Sequence, residues 1–250
     1  FAVKFLDTSE KEKVFIIAVS IIAGGVLELI MQIPILLKKD VRYKMTMNLN
    51  DPGLKEILRL MLPTVFALAV IQINIVMDNI IAEFCVTGDG AVSALYFGNR
   101  LMQFPIALIG IAIAQASFPY FSEFAVKKDF EGLKHHLSSS LRFCFLISVP
   151  ASLGLIVLSK PIITLLFQRA QFSEESTYRT SMVLISYSIG IFAYCGIQII
   201  TRVYSSLRDT RTPVRIGVKM VILNFLLNIS FVWHLKEAGL ALATSFSSII

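Results

Sequence analysis

The 250-residue chain reads as an all-α, polytopic membrane protein with six complete transmembrane helices and the beginning of a seventh. Three observations lead there. Hydrophobic residues make up 56% of the chain and charged residues only 16%, against about 25% charged in soluble domains. A water-soluble body of this length has too little interior to hide so much apolar surface. The apolar residues also fall in runs of the length a bilayer demands, roughly 20 residues for a ~30 Å hydrocarbon core. Finally, the basic residues gather in alternate connecting segments. The same composition excludes disordered, collagen-like and disulfide-stapled classes.

In chain order the spans are 14–37, 60–84, 91–121, 143–167, 180–207 and 214–235, and another apolar run goes from 239 to the end. The first holds a Gly24-Gly25 pair, small residues that permit close helix approach. The third carries Pro105, which removes a backbone donor and predicts a kink. The sixth follows a short polar turn, RDTRTP at 208–213, with Pro213 suited to a helix start. Residues 122–142 place Phe124, Phe130, Leu133 and Leu137 at helical spacing among charges, predicting an interfacial helix in the headgroup plane. The chain opens at Phe1 without Met and stops at Ile250 inside an apolar run, so it is expected to be a piece of a longer protein.

Orientation follows from the basic residues. Segments 38–59, 122–142 and 208–219 hold Lys38, Lys39, Arg42, Lys44, Lys55 and Arg59, then Lys127, Lys128, Lys134 and Arg142, then Arg208, Arg211, Arg215 and Lys219. The other side holds only Lys4, Lys11, Lys13, Arg169, Arg179 and Lys236. The positive-inside rule makes the first group cytoplasmic and Phe1 external. The net charge of +6 is therefore mainly topogenic and attracted to membrane lipids, and it calls for no nucleic acid. Cys85, Cys144 and Cys195 are an odd set in apolar stretches, which predicts core packing and no disulfide framework. His135, His136 and His234 have no Cys, Asp or Glu at metal-ligand spacing.

Ionisable residues within spans are costly there and so become functional candidates. Lys160 and Arg202 lie near helix ends and read as snorkelling, and Glu83 reads as solvated. Asp78 lies deep in its span with Asn74 one turn earlier on the same face. Two readings are open for it: an interhelical hydrogen bond, or a cation or proton site. Asn224 and Asn228 share a face of the sixth span, and Leu240 and Thr244 share one on the next helix. With Asp78, an amide pair, a hydroxyl and the Leu240 carbonyl, the set is all oxygen, which suits a hard cation such as Na+. Arg100, five residues before Pro105, suits either a water-filled cavity that takes an anionic group or a pair with an acid such as Glu28. Glu28, one turn before Gln32, is equally a packing contact or a cavity-lining residue.

Several segments together resemble the MurJ/MviN lipid II flippase family, within the multidrug/oligosaccharidyl-lipid/polysaccharide exporter superfamily. The clearest is YFGNRLMQFPIALIGIAIAQASFPYFS at 96–122, joined by QINIVMD (72–78), RVYSSLRDTRTP (202–213), GLALATS (239–245) and GGVLELIMQIP (24–34). The resemblance implies a two-lobe, fourteen-helix transporter. Residues 1–37 would be the last helix of the N-terminal lobe, 38–59 a cytoplasmic inter-lobe linker, and 60–250 the first part of the C-terminal lobe. It implies a multi-pass protein of the bacterial inner membrane, with no catalytic residues. Such a protein would carry lipid II, an undecaprenyl-pyrophosphate-linked disaccharide-peptide, to the periplasmic leaflet for peptidoglycan synthesis. Arg100 matches a cavity arginine of the family that meets the pyrophosphate, with Glu28 near the substrate path. Asp78, Asn224, Asn228, Leu240 and Thr244 match a sodium site, making Na+ or H+ the coupling ion and no other cofactor needed. The chain departs from the family at Glu28, usually Gln, and at Asn228, sometimes Asp.

Three other readings compete. A cation-coupled multidrug exporter of the same superfamily wants an acidic, aromatic-lined cavity, whereas the candidate here is basic. An intramembrane enzyme acting on polyprenyl phosphates wants an Asp-rich metal motif or nucleophilic His, and the sequence has neither. A non-transporting scaffold of the cell-wall machinery, with protein partners unknown, is the remaining alternative.

Overall fold

The computed structural model describes residues 10–38, 52–86, 90–169 and 172–250, all of which lie in helices or the short turns between them. The chain divides into two units, Phe1–Leu54 and Lys55–Ile250. In the first unit lies α1 (Glu10–Lys38), which continues past Pro34. Residues 39–51 of the expected linker lie outside the described residues; the rest of that segment, from Pro52, is helical and opens α2 (Pro52–Cys85).

From Lys55 onward the second unit holds the remaining elements. The third expected span is one long helical run, α3 (Ala91–Pro105), a π-helical turn (Ile106–Ile111) and α4 (Ala112–Lys127). The irregularity expected at Pro105 takes the form of this wider turn, which accommodates the missing proline donor without a break. Gly110 lies in it because α7 passes close by: an added Cβ would stand 2.8 Å from the Cys195 Cα.

The expected interfacial helix does not form. Residues 122–127 extend α4, Lys128 adopts a left-handed conformation (φ 57°), and α5 (Phe130–Phe167) begins at once. Asp129 caps α5 by accepting from the Gly132 amide at 2.9 Å. The turn is closed by the Asp129 amide donating to the Phe124 carbonyl at 3.0 Å. Leu133 is buried and Phe124 and Leu137 are half-buried against the core, leaving only Phe130 exposed. The helical spacing was real, but the apolar face it made is spent on the α4–α5 hairpin.

The fifth span is also interrupted. It consists of α6 (Glu174–Ser188) and α7 (Ile191–Ser206), which meet at 48°. Bending exposes backbone carbonyls, which in a bilayer need internal donors. Ser245 Oγ donates to the Ser186 carbonyl at 2.7 Å, and Ser152 Oγ donates to the Ser188 carbonyl. Gly190 permits that approach, since a Cβ there would stand 2.9 Å from the Ser245 Cα. The bent pair is the centre of the unit: α6 packs on α3, α5 and α8, and α7 on α4, α5 and α8.

Residues expected to form two spans, 214–235 and 239 onward, make α8 (Arg211–Ile249), interrupted at Lys236 (φ 51°, ψ −136°). Asp209 caps its start, accepting from the amides of Arg211 and Thr212 at 3.0 and 3.1 Å. Pro213 follows in the first turn, where its missing donor costs nothing.

Among the described residues, three runs are long and apolar enough to cross a bilayer, Ala91–Lys127, Phe130–Phe167 and Arg211–Ile249, and the bent pair makes a fourth. Their interior is rich in hydroxyls, with Ser117, Ser148, Ser152, Thr177, Thr180, Ser188 and Ser245 all buried. Large side chains such as Leu146, Val157 and Leu165 point outward instead. This inversion fits helices held by small-residue packing and hydrogen bonds within an apolar solvent. Of the cysteines, Cys144 and Cys195 are buried and free as expected, but Cys85 is free and exposed near the end of α2.

Candidate functional site

Asp78 sits in α2 near its C-terminal end and is only 8% exposed. Asn74, one turn earlier, donates to its Oδ2 at 3.4 Å. Across the unit, Asn228 Nδ2 of α8 donates to Asp78 Oδ1 at 2.6 Å and to Asn224 Oδ1 at 2.9 Å. Asn224 Nδ2 donates in turn to Thr244 Oγ1 at 3.2 Å, and that hydroxyl donates to the Leu240 carbonyl at 2.9 Å. All five residues expected to form a cation site thus belong to one connected network. The break at Lys236 makes this possible, because it folds the 239–249 segment back beside the 211–235 segment. Gly239 meets the Phe231 carbonyl so closely that a Cβ would lie 2.6 Å from its oxygen.

The network contains one misfit. Both amide hydrogens of Asn228 are used, yet its Oδ1 is buried without a partner. An orphaned amide oxygen in the interior costs free energy. The surrounding acceptors are a carboxylate, a second amide, a hydroxyl and a backbone carbonyl, the hard oxygens that Na+ prefers. The residues present therefore fit a small monovalent cation. Two further members were not anticipated: Tyr194, whose hydroxyl donates to the Thr244 carbonyl at 3.0 Å, and Ser247, which receives from Asn224 at 3.5 Å. Ser247 is three residues from Thr244 and could have been found by helical spacing. Tyr194 comes from α7 and carries no local signal.

Arg100 lies on the opposite side of α3 from the core. Ala91, Ala94, Leu95, Gly98 and Met102 are buried, while Tyr96, Arg100 and Gln103 are exposed and Asn99 is partly so. Gln103 Nε2 donates to Asn99 Oδ1 at 2.6 Å, and Arg100 Nε donates to the Tyr96 hydroxyl at 3.4 Å with its guanidinium 5.6 Å from that ring. A polar strip of this kind is too costly against lipid tails and marks a face turned to water or polar protein. Glu28 lies mid-way along α1, exposed, in the other unit.

The remaining membrane charges resolve as surface features. Lys160 is 3.9 Å from Glu174 with both exposed, Glu83 is exposed, and Arg202 lies 5.9 Å from the Phe118 ring. One pair was missed altogether. Arg179 Nε donates to Glu237 Oε1 at 2.5 Å, with the two side chains 17% and 5% exposed. It ties the start of α6 to the break in α8. The sequence separates these residues by a whole span pair and gives no hint of it.

Comparison with solved structures places the fold. The chain matches an archaeal MOP-superfamily transporter from Pyrococcus furiosus (TM-score 0.65, 18% identity, 83% of this chain and 45% of that one). It also matches a multidrug-resistance MATE transporter of the same superfamily (TM-score 0.61, 19% identity, 83% and 46%). The chain thus shares the polytopic helical fold of these two transporters.

A family model described as Lipid II flippase MurJ matches residues 1–250, and the chain belongs to that family. A lipid II flippase MurJ structure in an inward closed conformation matches with a TM-score of 0.72 at 28% identity, over 86% of this chain and 44% of that one. Curated relatives include a probable lipid II flippase MurJ of Vibrio cholerae, 36% identical over 94% of this chain and 44% of the relative. The lipid II flippase MurJ of Burkholderia cenocepacia is 32% identical over 97% and 47%. The chain therefore spans a little under half the length of these relatives. It is a protein of the bacterial inner membrane.

Proposed function

We propose that the full-length protein is a flippase that carries lipid II from the cytoplasmic to the periplasmic leaflet for peptidoglycan synthesis. The observation that carries this reading is the end-to-end family match, within which Arg100 stands on a polar, core-averted strip of a membrane helix. In this reading 1–37 closes the N-terminal lobe, 38–59 is the cytoplasmic linker and 60–250 opens the C-terminal lobe. The protein transports and does no covalent chemistry on its substrate.

The mechanism is alternating access. The pyrophosphate enters a cavity where the Arg100 guanidinium offers two parallel donors to its oxygens, a match no lysine reproduces. The Tyr96 hydroxyl and ring hold that guanidinium in place. Glu28 is the second residue we assign to the substrate, as a carboxylate able to accept hydroxyl and amide donors. The prenyl tail stays in lipid while the lobes rock. Asp78, Asn224, Asn228, Thr244 and the Leu240 carbonyl would hold Na+, which would supply a positive charge between α2 and the two segments of α8. Such binding biases one state only so far as affinity differs between the two.

The test is genetic. Full-length protein should restore growth to cells depleted of their own lipid II flippase, and Arg100→Ala should fail to do so at equal membrane abundance. Growth restored by Arg100→Ala would remove Arg100 from the substrate path. An arginine on that strip disfavours the multidrug-exporter alternative, because its charge would repel cationic drugs.

A further inference from the structure

The α5 helix has 38 residues, about 57 Å at ~1.5 Å per residue, nearly twice a ~30 Å hydrocarbon core. Its continuous apolar stretch starts at Phe143, so the turns from Phe130 to Arg142 pass through the headgroup level on the side where basic residues gather. On these turns lies a shallow, open groove of about 370 Å³ lined by Lys134, Leu137, Ser138, Leu141, Arg142 and Phe145, all of α5. The spacing of three and four residues keeps all six on one face.

The two sides of the groove differ in chemistry. Its apolar side rests on α7 where Gly196 has no side chain: a Cβ there would stand 3.4 Å from Phe145 and 3.8 Å from Leu141. The Phe145 ring also meets Phe192 of α7 edge-on at 6.1 Å. Its polar side is cationic. Arg142 is exposed and has no hydrogen bond or ion pair among the described residues. Lys134 has only a solvent-exposed pair with Glu131 at 3.1 Å, the kind that water screens to little effect. Ser138 puts an exposed hydroxyl between them.

We propose that this groove is a binding site for the phosphate headgroup of an anionic phospholipid of the cytoplasmic leaflet. Arg142 and Lys134 hold the phosphate oxygens, the Ser138 hydroxyl donates between them, and an acyl chain lies over Leu141 and Phe145. Cations at headgroup depth with apolar side chains directly below match the layering of a phospholipid, and interhelical basic pockets on the cytoplasmic side suit such headgroups. The guanidinium fork favours a phosphodiester over a zwitterionic head whose own cation competes. The site is on the α5–α7 face, so it stands or falls independently of what Arg100 binds.

The experiment uses the full-length protein in detergent, titrated with phosphatidylglycerol, phosphatidylcholine or inorganic phosphate and read by native mass spectrometry. Phosphatidylglycerol should bind at least about tenfold more tightly than phosphatidylcholine. The double variant Arg142→Gln/Lys134→Gln should lose that preference and leave phosphatidylcholine binding unchanged. Ser138→Phe, which fills the groove and keeps both charges, should lose it too, and gives a readout should the double variant fail to purify. Equal affinity for the two lipids, or a preference that survives either variant, overturns the proposal. Displacement of the lipid by equimolar inorganic phosphate would assign the groove to free phosphate and overturn it as well.

Discussion

Asn228 spends both amide hydrogens on Asp78 and Asn224 and leaves its carbonyl oxygen buried without a partner. Removing that side chain would leave the Asp78 carboxylate without its shortest donor, a loss of roughly 1.5–3 kcal/mol for a hydrogen bond to a charged group. Asn228→Ala should therefore lower the Tm of the full-length protein measured in detergent without Na+. If the network holds Na+, adding it at about 100 times its Kd should stabilise the native protein by ~2.7 kcal/mol. Asp78→Asn should erase that gain, and an equal Na+ gain in the variant would refute the assignment. Arg179 and Glu237 make a second residue-scale case. Breaking a buried pair from one side costs about 3–5 kcal/mol, whereas replacing both partners by apolar residues is often neutral. Glu237→Ala should thus destabilise far more than Arg179→Met/Glu237→Leu, and equal Tm losses would argue that the pair is incidental.

At the scale of elements, the interruptions are as informative as the helices. Three junctions have hydroxyl or cap chemistry that answers them: Ser152 and Ser245 for the α6–α7 bend, Asp129 for the α4–α5 hairpin, Asp209 for the start of α8. The Thr212 hydroxyl and amide, with the Arg211 amide and the Arg215 charge, hold the Asp209 carboxyl below the usual carboxylate range. A depressed value means its contribution is fully present above the unfolded carboxylate pKa of about 3.9 and is lost as pH falls through the lower folded value. Asp209→Ala should consequently lower Tm at pH 7 and make no difference in strong acid. A Tm gap independent of pH would show that the carboxylate's charge is irrelevant to the cap. Span positions were legible in the sequence because twenty-residue apolar runs have few alternatives in lipid. The bend at Ser188–Gly190 was not, since its cause, a serine of α8 against Gly190, is remote in sequence. The interfacial helix failed for a similar reason. Helical spacing of Phe124, Leu133 and Leu137 fixes a face, but what covers that face is a tertiary matter.

At the scale of the whole molecule, two kinds of site residue differ in how far sequence could reach. Asp78, Asn224, Asn228, Leu240 and Thr244 were nominated by charge depth and four-residue spacing, and the fold joins them through hydrogen bonds. Tyr194 and Ser247 joined the same network unannounced. Arg100 stands differently: its strip on α3 faces away from the unit's own core, as a cavity wall shared with further helices would. In the proposed function this arginine handles the pyrophosphate of lipid II during transport. The most direct measurement is leaflet-resolved lipid II in cells whose own flippase is depleted and replaced by the full-length protein. Outer-leaflet lipid II is expected with the native sequence and, with Arg100→Ala at equal abundance, lipid II retained in the inner leaflet. Outer-leaflet lipid II at native levels in the Arg100→Ala cells would contradict it.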